Sequence, residues 1–512
     1  MSDTARRRFD ILITAAEAFP AFEREFLRAQ KEIIASFRVF DPWTTLRSPE
    51  ARKIGPTWFD LITDTLNRKV SVSIVITDFD PVACHDLHAG TWSSLRALRA
   101  AAEASRHPEL LTVSAAMHPA RVGLLPRTVL WRRSIKELSQ NLEAYNALPK
   151  AEAQDRLREV PGLRALVEWK GDKLVPKRGK PPPLVPVSHH QKLAVFDNET
   201  LYIGGLDLDD RRYDTPEHRQ SAEQTWHDVQ VIVDGPIVAE AAAHIRNFRA
   251  IAAGQAPGHC AHLLRTMSAR RSFPLPRLSP KAVLSEMADA HSAQIAKAKR
   301  LIYLETQFFR YRKLARQLAK RAQENPDLQM ILILPAAPEE AAFNNSTGTD
   351  VAYGEHLQTE CIKIVRKAFG DRLFIGCPAQ PRTGSADKRA AHYGAPIVYV
   401  HAKVSIFDDA HGIISSANLN GRSFGWDTEA GIPTGNTEEV KALKKRCFDH
   451  WLGADADPAC YDDATAREAW AGRAARNAQL PPDQRQGFLL PYSVAPAEEV
   501  GYNVPAVPEE MV

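Results

Sequence analysis

The chain has 512 residues, with 66 Lys+Arg against 62 Asp+Glu for a formal net charge of +4; 44% of residues are hydrophobic and 25% charged. This is the composition of a folded globular protein, and it excludes a disordered, collagenous or disulfide-scaffold chain. At about 150 residues per domain the length allows two large domains or three average ones, and so small a net charge makes no global case for a nucleic-acid partner.

The first segment, MSDTARRRFDILITAAEAF, has a short basic stretch but no continuous apolar region, and Asp10 and Glu17 interrupt it, so it does not read as a signal peptide. No run of about 18 apolar residues follows anywhere, and no transmembrane span is expected. The expectation is a cytoplasmic protein, with export by a route that needs no signal peptide left open. Apolar spacing predicts a helix around Glu23–Ser36, then strands near Phe37–Phe40, Val70–Thr77 and Leu110–Ala115. Residues 119–186, ending in the basic and proline-rich KLVPKRGKPPPLVP, read as an insertion that covers or lines a site. Strands beginning at His190 and Tyr202 come next, and the small-residue segment Ala252–His262 reads as a boundary. The second half repeats the plan: a helix around Ala282–Ala298, strands near Leu301–Leu304, Gln329–Leu334 and Leu373–Ile375, then strands at His401 and Ile413. KALKKRCFDHWLG reads as a helix ending at Gly453, and the last 22 residues as an extended or loosely ordered tail. The expected domains are a first lobe 1–255 carrying the insertion 119–186, a second lobe 263–455 and an extension 456–512. The expected fold class is α/β: two homologous sandwich lobes, related by pseudo-twofold symmetry, whose mixed, mostly parallel sheets have helices on both faces. Turns at Asp197-Asn198-Glu199 and Asp408-Asp409-Ala410 imply an antiparallel pair inside each sheet. The six cysteines show no C-x-x-C pair and no histidine at metal-ligand spacing, so reduced buried thiols are expected and neither a disulfide framework nor a metal site.

The informative feature is an internal repeat. HHQKLAVFDNETLYIGGLDL from His189 and HAKVSIFDDAHGIISSANL from His401 align without a gap at an offset of 211 positions. His190, Lys192 and Asp197 fall on His401, Lys403 and Asp408; Gly204-Gly205 fall on Ser415-Ser416, and Asp207 on Asn418. One H-x-K-x4-D is weak evidence, but two copies with the same trailing small pair and short polar residue are specific.

Successive side chains on a strand alternate in direction, so His190 shares a face with Lys192, and His401 with Lys403. Two such strands meeting at a pseudo-twofold axis gather two imidazoles and two ammoniums around one cavity, a receptor for a phosphodiester anion. The histidines then divide the roles of nucleophile and general acid, through a covalent phosphohistidine and with no cofactor or metal. Sequence symmetry does not say which histidine does which. Asp197 and Asp408 complete the two catalytic motifs, although their odd spacing takes them off the His/Lys face and favours a structural or supporting role. Glu429 is the candidate to orient an imidazole in the second half and Asp228 in the first. Asp207 and Asn418 are expected to steady the site through hydrogen bonds. Trp226 and Trp426, each within three residues of an orienting carboxylate, read as core or as pocket wall; His189 and His227 read as packing or surface residues.

These residues resemble the phospholipase D superfamily, defined by the duplicated H-x-K-x4-D motif, over about Glu23 to Gly453. IYLETQFF at Ile302–Phe309, WHDV at Trp226–Val229, VHAKVSIFDD at Val400–Asp409 and SSANLNGRSFGWDTE at Ser415–Glu429 look like its phospholipase branch rather than the small single-motif nucleases. Cardiolipin synthases share the motifs and usually carry N-terminal membrane helices, which this chain lacks. The resemblance implies His190 as nucleophile, His401 as general acid, and Glu305 and Gln307 as residues near the substrate. Departures are Ser415-Ser416 where Gly-Ser is common, Asp427 where Asn is frequent, and Pro433 in the strand after Glu429; none touches the His/Lys set. The implied activity is hydrolysis of a glycerophospholipid to phosphatidate and a free alcohol, with transphosphatidylation as its companion, by a peripheral monomer at a membrane surface. A metal-independent nuclease or other phosphodiesterase is the alternative, favoured by the basic 170–180 stretch and opposed by the low net charge. A degenerate binding module is opposed by the intact His/Lys set.

Overall fold

The computed structural model describes residues 8–177, 179, 181–344, 348–384, 389–453, 456–505 and 507–512. Arg178 and Lys180 of the basic stretch, and the expected domain end at 455, fall outside these. Sixteen strands build two large sheets. The first contains β1 (Phe9–Ile13), β2 (Glu32–Phe37), β3 (Ser71–Asp78), β4 (Leu111–Met117), β5 (Leu193–Phe196), β6 (Thr200–Gly204) and β7 (Val229–Val233), in the order β1-β7-β6-β5-β2-β3-β4. The second contains β8 (Leu264–Ala269), β9 (Lys281–Ser285), β10 (Leu301–Thr306), β11 (Gln329–Ile333), β12 (Leu373–Pro378), β13 (Lys403–Phe407), β14 (His411–Ser415), β15 (Glu429–Thr434) and β16 (Leu489–Pro491). Its order, β9-β8-β15-β14-β13-β10-β11-β12-β16, repeats that of the first sheet with one strand added at each edge. Both sheets are mixed and belong to an α/β fold, as expected, but antiparallel pairs outnumber parallel ones in each. Parallel pairing is confined to β2-β3-β4 and β10-β11-β12, and the motif hairpins are antiparallel.

Strand alternation sorts β2 between two cores. Ile33, Ala35 and Phe37 pack with Phe19, Phe22, Phe26 and Trp58 on one face, while Ile34 joins Val195, Ile203 and Val231 on the other. That second core is continuous with Tyr303, Ile331, Val404 and Ile406 of the other sheet, so the halves share one apolar interior.

Three expectations are corrected. The first helix spans Thr14–Arg28, not Glu23–Ser36, with Pro20 inside it. Glu32–Phe37, paired on both sides, is strand rather than helix or the Phe37–Phe40 strand. The helix expected over Ala282–Ala298 is Glu286–Lys297, because Lys281–Ser285 pairs with β8 as an edge strand. The tail is not loose: its first residue, Pro491, pairs with Gly376 of β12, Tyr492 and Ala497 are buried, and Ala495–Val500 is helical. Pro433 is accommodated because β8 ends opposite Gly431, leaving Pro433 beyond the doubly paired stretch of β15.

Candidate active site

His190 and Lys192 lie in the extended segment that enters β5, and His401 lies in the one that enters β13 at Lys403. Each segment docks across the seam onto the other half. The His190 N–H donates to the Thr428 carbonyl and the His401 N–H to the His227 carbonyl, both at 2.8 Å. Thr428 and His227 immediately precede Glu429 and Asp228, so each motif histidine is set beside the other half's carboxylate.

This crosses the pairing expected from the sequence. His190 Nδ1 lies 3.2 and 3.1 Å from the Glu429 oxygens, and His401 Nδ1 lies 2.6 Å from Asp228 Oδ2. Glu429 therefore serves the first-half histidine and Asp228 the second-half one, because both docking segments cross the seam. His190 Nδ1 is also 3.1 Å from the Ser416 carbonyl. A carbonyl only accepts, so Nδ1 carries the proton and Nε2 keeps its lone pair.

The small pair after each hairpin makes room for these carboxylates. A Cβ at Gly205 would stand 2.3 Å from Asp228 Oδ1. At the equivalent position Ser416 Oγ instead donates to Glu429 Oε2 at 2.5 Å.

The lysines are sealed behind the histidines. Lys192 Nζ donates to the His190 carbonyl at 2.5 Å and stands 3.7 Å from Asp207, and Lys403 Nζ donates to the His401 carbonyl. Their fields converge: both lysines, after burial itself, hold both imidazoles in the neutral form, well below the usual histidine range. Burial lowers Lys403 to about 7 against the opposing pull of Asp228. Burial likewise pushes Asp228 up to about 7 and Glu429 up to about 8, opposed by Lys403 and Lys192 respectively. Perturbed titratable groups gathered around a partly exposed His190 and a buried His401 are the electrostatic mark of a functional site.

Asp207 accepts the Val39 N–H at 2.9 Å and steadies Lys192, and Asn418 is buried with its Oδ1 unpartnered. Trp226 stacks on His401 at 4.5 Å, with Arg212 3.9 Å over its ring. Trp426 is buried against Ala120 and Val187, which brings both ends of the 119–186 insertion against the site wall. Asp427 accepts the Ser188 N–H at 2.7 Å and holds Arg422. Gln307 donates to Tyr399 OH at 2.9 Å, and Tyr399 packs on Trp226.

Three of the sequence candidates stand away from the histidines. Asp197 accepts the N–H groups of Gln30, Lys31 and Glu32, and Asp408 those of Lys299, Arg300 and Leu301. Both take φ near +54° (53° and 54°), at the far ends of their hairpins. They are backbone clamps outside the His/Lys cluster. Glu305 is fully buried with both oxygens occupied, by His227 on one side and by Tyr303 OH and Trp451 Nε1 on the other, so no substrate reaches it.

Sequence reasoning missed Arg38, Arg212 and Arg422, whose charges bear on His190 and His401. The repeat carried a signal for one of them, since Arg422 falls on Arg211 at the offset of 211, whereas Arg212 falls on Ser423. His218, His227 and His450 each place a ring nitrogen within 4.8 Å of the others. His218 Nε2 and His450 Nε2 share a hydrogen bond at 2.9 Å, and the His227 and His450 rings stack at 4.4 Å. Asp214, His218 and His450 are hydrogen-bonded in series, while His227 stacks on His450 and bonds Glu305.

Residues 292–451 match the family model described as cardiolipin synthase, PLD-like domain. The chain is 23% identical over 444 residues to Phospholipase D alpha 4 of Arabidopsis thaliana, covering 64% of this chain and 57% of that protein. It is 22% identical over 382 residues to Phospholipase D1 of Saccharomyces cerevisiae, covering 53% of this chain and 22% of that one. It thus spans about half the length of the plant relative, and less of the yeast one. Among solved structures it is similar to phosphatidylserine synthase of Haemophilus influenzae Rd KW20, with 11% identity, a TM-score of 0.48 and 86% of each chain covered. The sequence matches bear out the resemblance to the phospholipase D superfamily. Among the described residues no helix is long and apolar enough to cross a membrane.

Proposed function

We propose that this phospholipase D superfamily chain is a phosphodiesterase that hydrolyses glycerophospholipids to phosphatidate and a free alcohol, with transfer to a second alcohol as a companion reaction. The observation that supports this reading most directly is the crossed pair of His–carboxylate contacts, His190 with Glu429 and His401 with Asp228, under the field of two buried lysines. In this reading His190 Nε2 attacks phosphorus, the P–O bond to the head-group alcohol breaks, and His401 delivers the proton to the departing oxygen. The anionic substrate offsets the cationic field that keeps His401 neutral in the free protein, and Asp228 stabilises the imidazolium. His401 next takes a proton from water, whose oxygen displaces His190 from phosphorus. Lys192, Lys403 and the arginines supply the positive field for the pentacoordinate transition state.

The same reading makes the chain a monomer, since both motifs sit in one chain, with lobes 1–255 and 263–455 and an extension 456–512. It acts from the cytoplasm as a transient visitor to the membrane surface. Incubation with phosphatidylcholine, phosphatidylethanolamine and phosphatidylglycerol in mixed micelles is expected to release phosphatidate, read by mass spectrometry. Absence of phosphatidate from all three, with nicking of supercoiled plasmid by the same preparation, would sink the lipid assignment. Acid quench during turnover is expected to trap phosphorus on His190 in the wild type and on neither histidine in His190→Ala.

A further inference from the structure

Two segments far apart in sequence form one exposed apolar surface. In the helix Leu124–Asn141 the side chains of Leu124, Leu125 and Val129 are exposed, Val129 to 82%. Beside them Phe273 is 70% exposed, with Leu275 next to it. Backbone hydrogen bonds join the segments, from Gly123 N to the Arg277 carbonyl at 2.8 Å and from Leu125 N to the Leu275 carbonyl at 3.1 Å. The approach is close enough that a Cβ at Gly123 would stand 1.9 Å from the Pro274 carbonyl oxygen. Apolar side chains this large, held together on an ordered surface, mark an interaction site rather than scattered surface hydrophobics.

The charge around them is strongly biased. Residues 121–137 and 270–281 carry nine Lys/Arg and one Asp/Glu, a net of +8, whereas the whole chain carries only +4. The remainder is therefore net negative, and the positive charge is concentrated beside the apolar patch. Arg132, Arg133 and Arg277 are exposed there, and the nearest ion pair, Arg133 with Asp350, is long at 3.9 Å. Apolar anchors ringed by arginines complement a surface that offers anionic groups above hydrocarbon. A protein partner or second copy would instead need carboxylates clustered around an apolar recess.

We propose that this patch, centred on Val129 and Phe273, docks the protein onto a bilayer of anionic phospholipid. The proposal rests on the lipid-hydrolase reading for its purpose but not for its measurement. Its position suits that purpose: Ala120, just before the patch, packs with Val187 and Trp426, and Ser188 bonds Asp427 two residues before His190. A membrane lying on the patch borders the mouth through which His190 is reached.

The test is cosedimentation with vesicles of phosphatidylglycerol and phosphatidylcholine against vesicles of pure phosphatidylcholine, at physiological salt. The wild type is expected to sediment with the anionic vesicles only. Val129→Asp/Phe273→Asp and, separately, Arg132→Ala/Arg133→Ala are expected to lower that binding about tenfold or more. Turnover of vesicle lipid should fall in step, while turnover of a monomeric short-chain phosphodiester stays at the wild-type level. Equal vesicle binding by wild type and both variants overturns the proposal. So does a wild-type dimer that either variant converts to monomer, which would assign the patch to a second copy. If no lipid is hydrolysed but vesicle binding follows the pattern above, the docking proposal stands and the hydrolase reading fails.

Discussion

Asp228→Asn isolates the contribution of the crossed carboxylates. The Asp228 side chain is fully buried and 2.6 Å from His401 Nδ1, so it faces the imidazolium formed during turnover without solvent screening. Two unit charges about 4.5 Å apart at an effective dielectric near 20 interact by about 3–4 kcal/mol. At about 1.4 kcal/mol per decade this is a fall in kcat of roughly 100- to 1000-fold, with KM changed by less than about threefold. The assay compares a natural phospholipid with a p-nitrophenyl phosphodiester, whose leaving group departs without protonation. If His401 is the general acid, Asp228→Asn recovers most of its activity on the nitrophenyl substrate, while Glu429→Gln, acting on the nucleophile, stays impaired on both. A kcat for Asp228→Asn within about threefold of wild type on phospholipid would refute the orienting role. Rescue of Glu429→Gln in place of Asp228→Asn would exchange the two histidine roles.

Burial holds His190 neutral far below the usual histidine range, so its own titration costs nothing as pH falls toward 6, but Asp228, raised by burial to about 7, loses its charge over that interval and kcat/KM should fall with it. Lys403 carries its charge below a pKa lowered to about 7, so kcat/KM should decline as pH rises through that value. Lys403→Arg, which stays protonated, should move that limb upward in the pH profile even if kcat is lower. Asp197→Ala removes the acceptor for three backbone N–H groups and places alanine at φ +53°; it should cost about 1–3 kcal/mol of stability, read by thermal melting, with kcat per folded molecule unchanged. Truncation before Leu489 uncovers the edge of β12 and removes Leu489, Leu490 and Tyr492 from buried positions. The loss is about 5 kcal/mol or more, and the truncated chain should aggregate on expression where the full chain is soluble.

The motif hairpins were legible because strand alternation is a local rule. His-x-Lys, the short polar turn and the following β-rich run together specify two strands and the face the catalytic pair shares. The hairpin turns were legible for the same reason, since Asp197, Asn198 and Asp408 accept the left-handed backbone that most residues avoid. Glu429 and Asp228 were both identifiable as orienting carboxylates, but their assignment was inverted. In the sequence, carboxylate and histidine of one half are neighbours along the repeat, and nothing local records that each docking segment crosses to the other half. The His190 N–H bonds Thr428 and the His401 N–H bonds His227, which are tertiary contacts across the seam. The first helix was misplaced for a different reason, because Glu32–Phe37 extends the apolar run beyond Arg28 and only its pairing on both sides marks it as strand. The apolar surface at Val129 and Phe273 was hidden in the composition. A total of +4 conceals a net +8 on two segments that only the hydrogen bonds of Gly123 and Leu125 bring together. The two features that sequence could not supply, crossed pairing and concentrated charge, both arise where distant segments meet. The orientation of both histidines depends on that seam, so a substitution that loosens it should impair both histidines together. Thr428→Pro leaves the His190 N–H its carbonyl partner but removes the Thr428 N–H bond to the Ser188 carbonyl and the Oγ1 bond to His189. It is expected to lower the rate of His190 phosphorylation on both phospholipid and nitrophenyl substrates. A normal phosphorylation rate in that variant would show that the site is held by the lobes' cores instead of by the seam.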